Sequence, residues 1–171
     1  VRISSGDKNV LIASTSGKSI RFHENECRFL GRVSQGVKGM NLDSNEHVIG
    51  MELIDDDSEI LTVTAKGYGK RSSATEYRLQ SRGGKGVRAM KLTEKTGEII
   101  GILPVTDKDD LMIITNKGQV IRTKISGISL IGRNTQGVRL INVKPDEKVV
   151  AVEKIVDPDD ESSGDQNNSK D

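Results

Sequence analysis

Nine basic residues recur in register along the chain. Arg21, Arg71 and Arg122 stand 50 and 51 residues apart, and the same spacing relates Arg32, Arg82 and Arg133, and Lys38, Arg88 and Arg139. Three columns of cations at one period suit a regularly charged polyanion. Binding to a phosphate backbone draws its free energy from neutralised charge and released counterions. The alternative is structural: a column of arginines pairs with Asp or Glu between repeats and holds the fold. The acidic residues concentrate elsewhere, at Asp55-Asp56-Asp57, from Asp107 to Asp110, and from Asp157 to Glu161. Acidic linkers on one side and basic columns on another would aim a polyanion at one surface. Intermingling of the two sets would end that expectation.

The aromatic count narrows the polyanion. Phe22, Phe29, Tyr68 and Tyr77 are the only aromatic residues, with no Trp. Binders of single strands stack bases on aromatic platforms, which this chain lacks. No helix-turn-helix or zinc finger offers an element to enter a groove. Double-stranded DNA held through its backbone, with little sequence preference, is the remaining option.

Other chemistries find no support. His23-Glu24-Asn25-Glu26-Cys27 has one His and one Cys and no second cluster, short of metal-ligand spacing. Cys27 has no partner His to make it a nucleophile. Gly83-Gly84-Lys85-Gly86 lacks the GxxxxGK[ST] of a P-loop and precedes a strand. Asp55-Asp56-Asp57 recurs as a kind of linker, so it reads as a connector. No catalytic residue, metal ligand or cofactor is expected. A protein-interaction propeller would need an exposed apolar or aromatic patch, which a chain with 2% aromatics hardly provides.

Composition agrees. The chain is 33% hydrophobic and 30% charged, and no apolar run approaches the roughly 18 residues of a spanning helix. No signal peptide opens it, and its one cysteine fits a reducing, cytoplasmic compartment. The absence of an initiator Met suggests a partial chain. The net charge of +1 hides an asymmetry. Residues 157–171 hold six acidic residues and one basic, leaving 25 basic and 19 acidic residues in 1–156. That Ser/Asn/Gly-rich tail buries too little apolar surface to fold and reads as disordered.

The elements that must position the cations follow from the same period. Apolar runs at Val10–Ile12, Ile60–Val63 and Leu111–Ile114 each lead to a hydroxyl residue (Ser14, Thr64, Thr115) and, three positions on, a glycine (Gly17, Gly67, Gly118). A second glycine stands 19 residues later (Gly36, Gly86, Gly137), always followed by valine. A second apolar run closes each repeat. Short runs of Val, Ile and Thr bounded by Gly, Asn and Asp are strand grammar, and the first glycines read as hairpin turns. The expectation is an all-β fold of three blades of about four antiparallel strands, covering 9–57, 58–108 and 109–156. Residues 1–8 would end a preceding blade or linker. Closed radial folds use about 4 to 8 blades. Three blades therefore imply blades outside this chain, association, or an open arc.

Gln80-Ser81-Arg82-Gly83-Gly84-Lys85-Gly86 resembles the QRRGGKG box of the C-terminal domains of bacterial DNA gyrase A subunits, with Ser81 in place of Arg. Gly67-Tyr68-Gly69-Lys70-Arg71 resembles the penultimate blade of that family, and Ile125 to Val138 its last blade. The resemblance covers residues 9–156. It implies a β-pinwheel, a propeller-like disc whose blades exchange a strand, and it implies duplex wrapping in support of negative supercoiling. The family's defining box lies in a first blade, so the match at Gln80–Gly86 is the fifth-blade counterpart. The resemblance adds Lys70 and Lys85 to the DNA-contacting set. It places the cleaving tyrosine outside this chain, so Tyr68 and Tyr77 read as packing or rim residues. It implies ATP and magnesium only for a complete enzyme. As partners it implies the remainder of the gyrase A polypeptide and the gyrase B polypeptide in a heterotetramer, on the bacterial nucleoid. The C-terminal domain of topoisomerase IV is the nearest alternative.

Overall fold

A computed structural model describes residues 1–155, so the acidic tail expected at 157–171 lies outside the described residues. The described residues form eleven strands: β1 Asn9–Ser14, β2 Lys18–His23, β3 Val48–Ile54, β4 Glu59–Thr64, β5 Tyr68–Ser73, β6 Val87–Arg88, β7 Ile99–Val105, β8 Asp110–Thr115, β9 Val120–Lys124, β10 Val138–Arg139 and β11 Val149–Ile155. Single 3-10 turns follow β2, β5 and β9. All pairing between strands is antiparallel.

The hydroxyl and glycine of each repeat make its hairpin. Gly67 donates its N–H to the Thr64 carbonyl (3.0 Å), and the Thr64 hydroxyl accepts from the Tyr68 N–H (3.2 Å). The turn at Thr115–Gln119 repeats both bonds. Gly67 has φ of +79°, which a side chain resists.

Sheets and sequence repeats do not coincide. The sheet orders are β3-β1-β2-β6, β10-β5-β4-β7 and β11-β8-β9. Each repeat supplies three long strands to its own sheet, and the short strands of the second and third repeats cross to the sheet before. Thus β6 pairs with β2 (Ser19 opposite Val87) and β10 with β5 (Gly69 opposite Val138). The four strands expected within one repeat therefore come from two, and the third sheet has three. This exchange explains the second glycine. A Cβ on Gly137 would sit 2.5 Å from the Gly69 carbonyl oxygen, and one on Gly86 would overlap the Ser19 carbonyl. Gly36, in the first repeat, has nothing within 4 Å.

Strand β7 packs between β3 and β11, so these three line the inner edge and the exchanged strands the outer one. One core layer, including Leu11, Ile60, Tyr77, Met90 and Ile99, lies between the first and second sheets. Another, including Leu61, Val63, Leu111, Ile113 and Ile125, lies between the second and third. The middle sheet is covered on both faces, so Ile60–Thr64 are all buried. The outward face of β9 alternates with solvent instead. Each fully buried Leu or Ile contributes about 1.5–3 kcal/mol.

Candidate nucleic-acid interface

The first arginine column faces inward. Arg21 and Arg71 lie on strands whose polar face is covered by the next repeat. The Arg71 Nε donates to the Ile128 carbonyl (2.8 Å), and its Nη1 to Glu59 (2.7 Å) and Asp107 (2.5 Å). Arg21 makes the equivalent set one repeat earlier, to the Ala74 carbonyl (2.9 Å), the Tyr77 carbonyl (3.4 Å) and Asp56. Arg122 is exposed but paired with Asp110 (2.5 Å). This column and the acidic linkers are intermingled, which corrects the expected separation and removes Arg21 and Arg71 from the candidate DNA surface.

Lys70 is corrected for the same reason. It is fully buried, and its Nζ donates to the carbonyls of Gly132 (2.8 Å) and Arg133. Burial lowers its pKa to about 8.

The second column staples the exchanged loops. Arg82 Nε donates to the Glu26 carbonyl (2.9 Å) and Nη1 to the Lys38 carbonyl (3.1 Å). Arg133 repeats both bonds, to the Glu76 carbonyl (3.0 Å) and the Arg88 carbonyl (2.6 Å). Their backbone N–H groups donate to the carboxylates of Glu26 (3.0 Å) and Glu76 (2.8 Å). Both side chains remain half-exposed, with protein partners already in place. Arg32 is exposed, in the first repeat.

The third column faces solvent. Lys38, Arg88 and Arg139 are exposed on the outer segments. Arg88 donates to Asn134 (3.2 Å), and Arg139 to Asn142 (2.7 Å) and the Tyr68 hydroxyl (2.7 Å). These partners carry no formal charge, so the guanidinium charge is left for a ligand.

The box-like loop is packed rather than open. Gln80 donates its N–H to the Arg21 carbonyl (2.9 Å), and Gly83 to the Gly39 carbonyl (2.6 Å). Gly84 accepts from the Asn41 N–H (2.9 Å). Ser81 and Lys85 are exposed, and Lys85 is paired with Asp43 (2.8 Å). The Gly83 N–H is thus already bonded and is not free to hold a phosphate. Asp43 also holds Lys18 (2.8 Å), and the two ammonium groups lower its pKa to about 2.

Tyr68 and Tyr77 are buried. Arg139 lowers the pKa of Tyr68, and burial raises that of Tyr77. Several outward cations escape a search for complete columns. Arg28 and Arg78 are equivalent and exposed, but Ser129 takes the third place. Lys66, Lys91, Lys95 and Lys144 are exposed without full columns. Columns with one member replaced are the signal that would have found the first pair. Among the described residues no group of three or more His, Cys, Asp or Glu could hold a metal ion, and no helix is long and apolar enough to cross a membrane.

A family model described as DNA gyrase C-terminal domain, beta-propeller, matches residues 8–55, 58–106 and 109–155. The DNA gyrase A protein of Salmonella typhimurium is 42% identical over 161 residues, which is 94% of this chain and 18% of that protein. The DNA gyrase A protein of Staphylococcus aureus is 42% identical over 168 residues, 97% of this chain and 19% of the relative. The chain thus spans about a fifth of the length of these curated relatives. Among solved structures, a DNA gyrase A C-terminal domain superposes with a TM-score of 0.81 at 24% identity, covering 88% of this chain and 51% of the other. The C-terminal domain of a DNA topoisomerase IV gives 0.85 at 25% identity, covering 91% and 49%.

Proposed function

Because the chain belongs to the DNA gyrase C-terminal domain, beta-propeller family, we propose that it binds duplex DNA along its outer edge and bends it around the arc of blades. The observation that carries this reading is the third column. Lys38, Arg88 and Arg139 recur at equivalent outer positions and face solvent, and the side-chain partners of the two arginines are uncharged. Exposed cations at equivalent outer positions would meet phosphates at intervals along a curved duplex, and backbone contacts carry no sequence information by themselves. The candidate contact set is Arg32, Lys38, Lys85, Arg88 and Arg139, with Arg82 and Arg133 in support.

In this reading the chain is a wrapping module without catalysis of its own. Its partners are duplex DNA on the nucleoid, the remainder of a gyrase A polypeptide, and the gyrase B polypeptide. Strand cleavage and ATP and magnesium use belong to those other parts. The topoisomerase IV alternative is disfavoured because the sequence relatives named above, at 42% identity, are gyrase A proteins.

Wrapping, as distinct from binding, is read by topology. Nicked circular DNA is sealed by ligase with and without the 171-residue chain, and the linking number of the stripped product is measured. A shift of one sign that grows with protein concentration is expected. Duplex binding with no linking-number change would reduce the function to a DNA tether.

A further inference from the structure

We propose that the cleft where the second and third repeats meet is a discrete binding site for a phosphate group. It is a cleft of about 350 Å³ beside the exchanged strand β10. Lys66, Lys95, Arg139 and Lys144 line it, against one carboxylate, Glu147. That carboxylate is already used: it accepts from the Thr115 hydroxyl (2.6 Å) and from the Lys144 backbone N–H (3.3 Å). Three of the cations are held in place by neutral partners. Arg139 is oriented by the Tyr68 hydroxyl and by Asn142, both at 2.7 Å. The Lys95 ammonium lies 5.4 Å from the centre of the Tyr68 ring, and the Arg139 guanidinium 5.3 Å. The Lys66 ammonium donates to the Glu94 backbone carbonyl, a neutral acceptor.

The same geometry selects the ligand class. Tyr68 is buried, with cations against its ring, so it offers no platform for a base. Several donors converging in a recess with a positive lining favour a compact, multiply charged oxyanion. The equivalent position one repeat earlier is built the other way. There Lys18 replaces Tyr68, and Asp43 and Glu46 pair with it at 2.8 and 3.1 Å. Phosphate affinity is therefore specific to the second junction and is not a general property of the exchange.

The phosphate has two possible sources, the backbone of a wrapped duplex or a free polyphosphate. The first rests on the function proposed above and the second does not. The test uses the 171-residue chain, unaltered and as the Lys95→Gln/Lys144→Gln variant, which leaves Arg139 and its contacts to Tyr68 and Asn142 in place. Inorganic tripolyphosphate and a short duplex are titrated separately while the backbone amides are followed by NMR. Duplex affinity is also measured across a salt series.

Shifts at Tyr68, Lys95, Arg139 and Lys144 with tripolyphosphate, lost in the variant, are expected. With duplex, the same amides should move, and two lost contacts should flatten the slope of log K against log salt by about 1.8, at about 0.9 each. Tripolyphosphate binding in the cleft by a chain that ignores duplex would uphold the site and defeat the DNA reading. Duplex binding with no change at the cleft, no tripolyphosphate shifts and an unaltered slope in the variant would overturn the site and leave the DNA reading standing.

Discussion

The two places where one repeat hands a strand to the repeat before it share a skeleton and differ in charge. At the first junction β6 lies on β2, and at the second β10 lies on β5. Both are clamped by an inward arginine, Arg21 or Arg71, and by a stapling arginine, Arg82 or Arg133. Both need a second glycine, Gly86 or Gly137, against a neighbouring carbonyl. The outer surface then diverges. Asp43 binds Lys18 and Lys85 at the first junction, while at the second Arg139 and Lys95 lie against the Tyr68 ring and share a cleft with Lys66, Lys144 and a single carboxylate, Glu147. The period therefore preserves what holds blades together, and the surface charge changes independently of it.

The largest expected effect tests the shared part. Arg71→Ala would leave the Ile128 carbonyl, Glu59 and Asp107 without their common donor, and a broken buried pair costs about 3–5 kcal/mol. Because Asp107 is exposed to water, the loss in urea unfolding should sit near the bottom of that range, with Arg21→Ala close to it. A negligible loss at either site would mean that the clamp is not shared. Gly86→Ala and Gly137→Ala should each cost about 1–3 kcal/mol, since a residue at positive φ is strained and the new methyl meets backbone. An unchanged unfolding midpoint in either would show that the exchanged strand shifts freely.

Smaller effects test the difference. Arg139→Ala should flatten the salt dependence of duplex binding by about 0.9. Lys85→Ala should flatten it less, because Asp43 already neutralises that ammonium. Equal changes would erase the distinction between the junctions. Asp43→Asn should act oppositely, releasing Lys85, leaving Lys18 to Glu46 alone and steepening the slope.

The same variant has a pH signature. The Asp43 carboxyl is at about 2 when folded, held there by Lys18 and Lys85, against an ordinary value of 3.8. The folded state then binds fewer protons than the unfolded chain. The stabilisation is complete above about pH 3.8 and is lost as pH falls toward about 2. Acid unfolding of Asp43→Asn should be flatter in that window, and an identical profile would show that the two ion pairs are screened.

Much of the fold was legible because it repeats. The hydroxyl and glycine of each hairpin, the apolar runs and the period follow from residues such as Thr64 and Gly67 alone. The crossing of the short strand came only through family resemblance, since spacing places Val87 in its own repeat while its partner, Ser19, lies one repeat earlier. The site was less legible. Alternation puts Arg21 and Arg71 on a polar strand face, and a polar face normally meets water. Here that face is covered by the following repeat, so a column equally regular in sequence became structural. Conversely, Lys95 and Lys144 occupy positions that differ from repeat to repeat, so no column marked them.

In the proposed function, outward cations and not inward ones carry duplex affinity through the backbone. The decisive measurement is affinity for two unrelated duplexes across a salt series, with the 171-residue chain and with Arg88→Ala/Arg139→Ala. The same steep linear dependence is expected on both sequences, flatter by about 1.8 in the double variant at about 0.9 per lost contact. A folded chain without affinity, or a double variant with an unaltered slope, would contradict it.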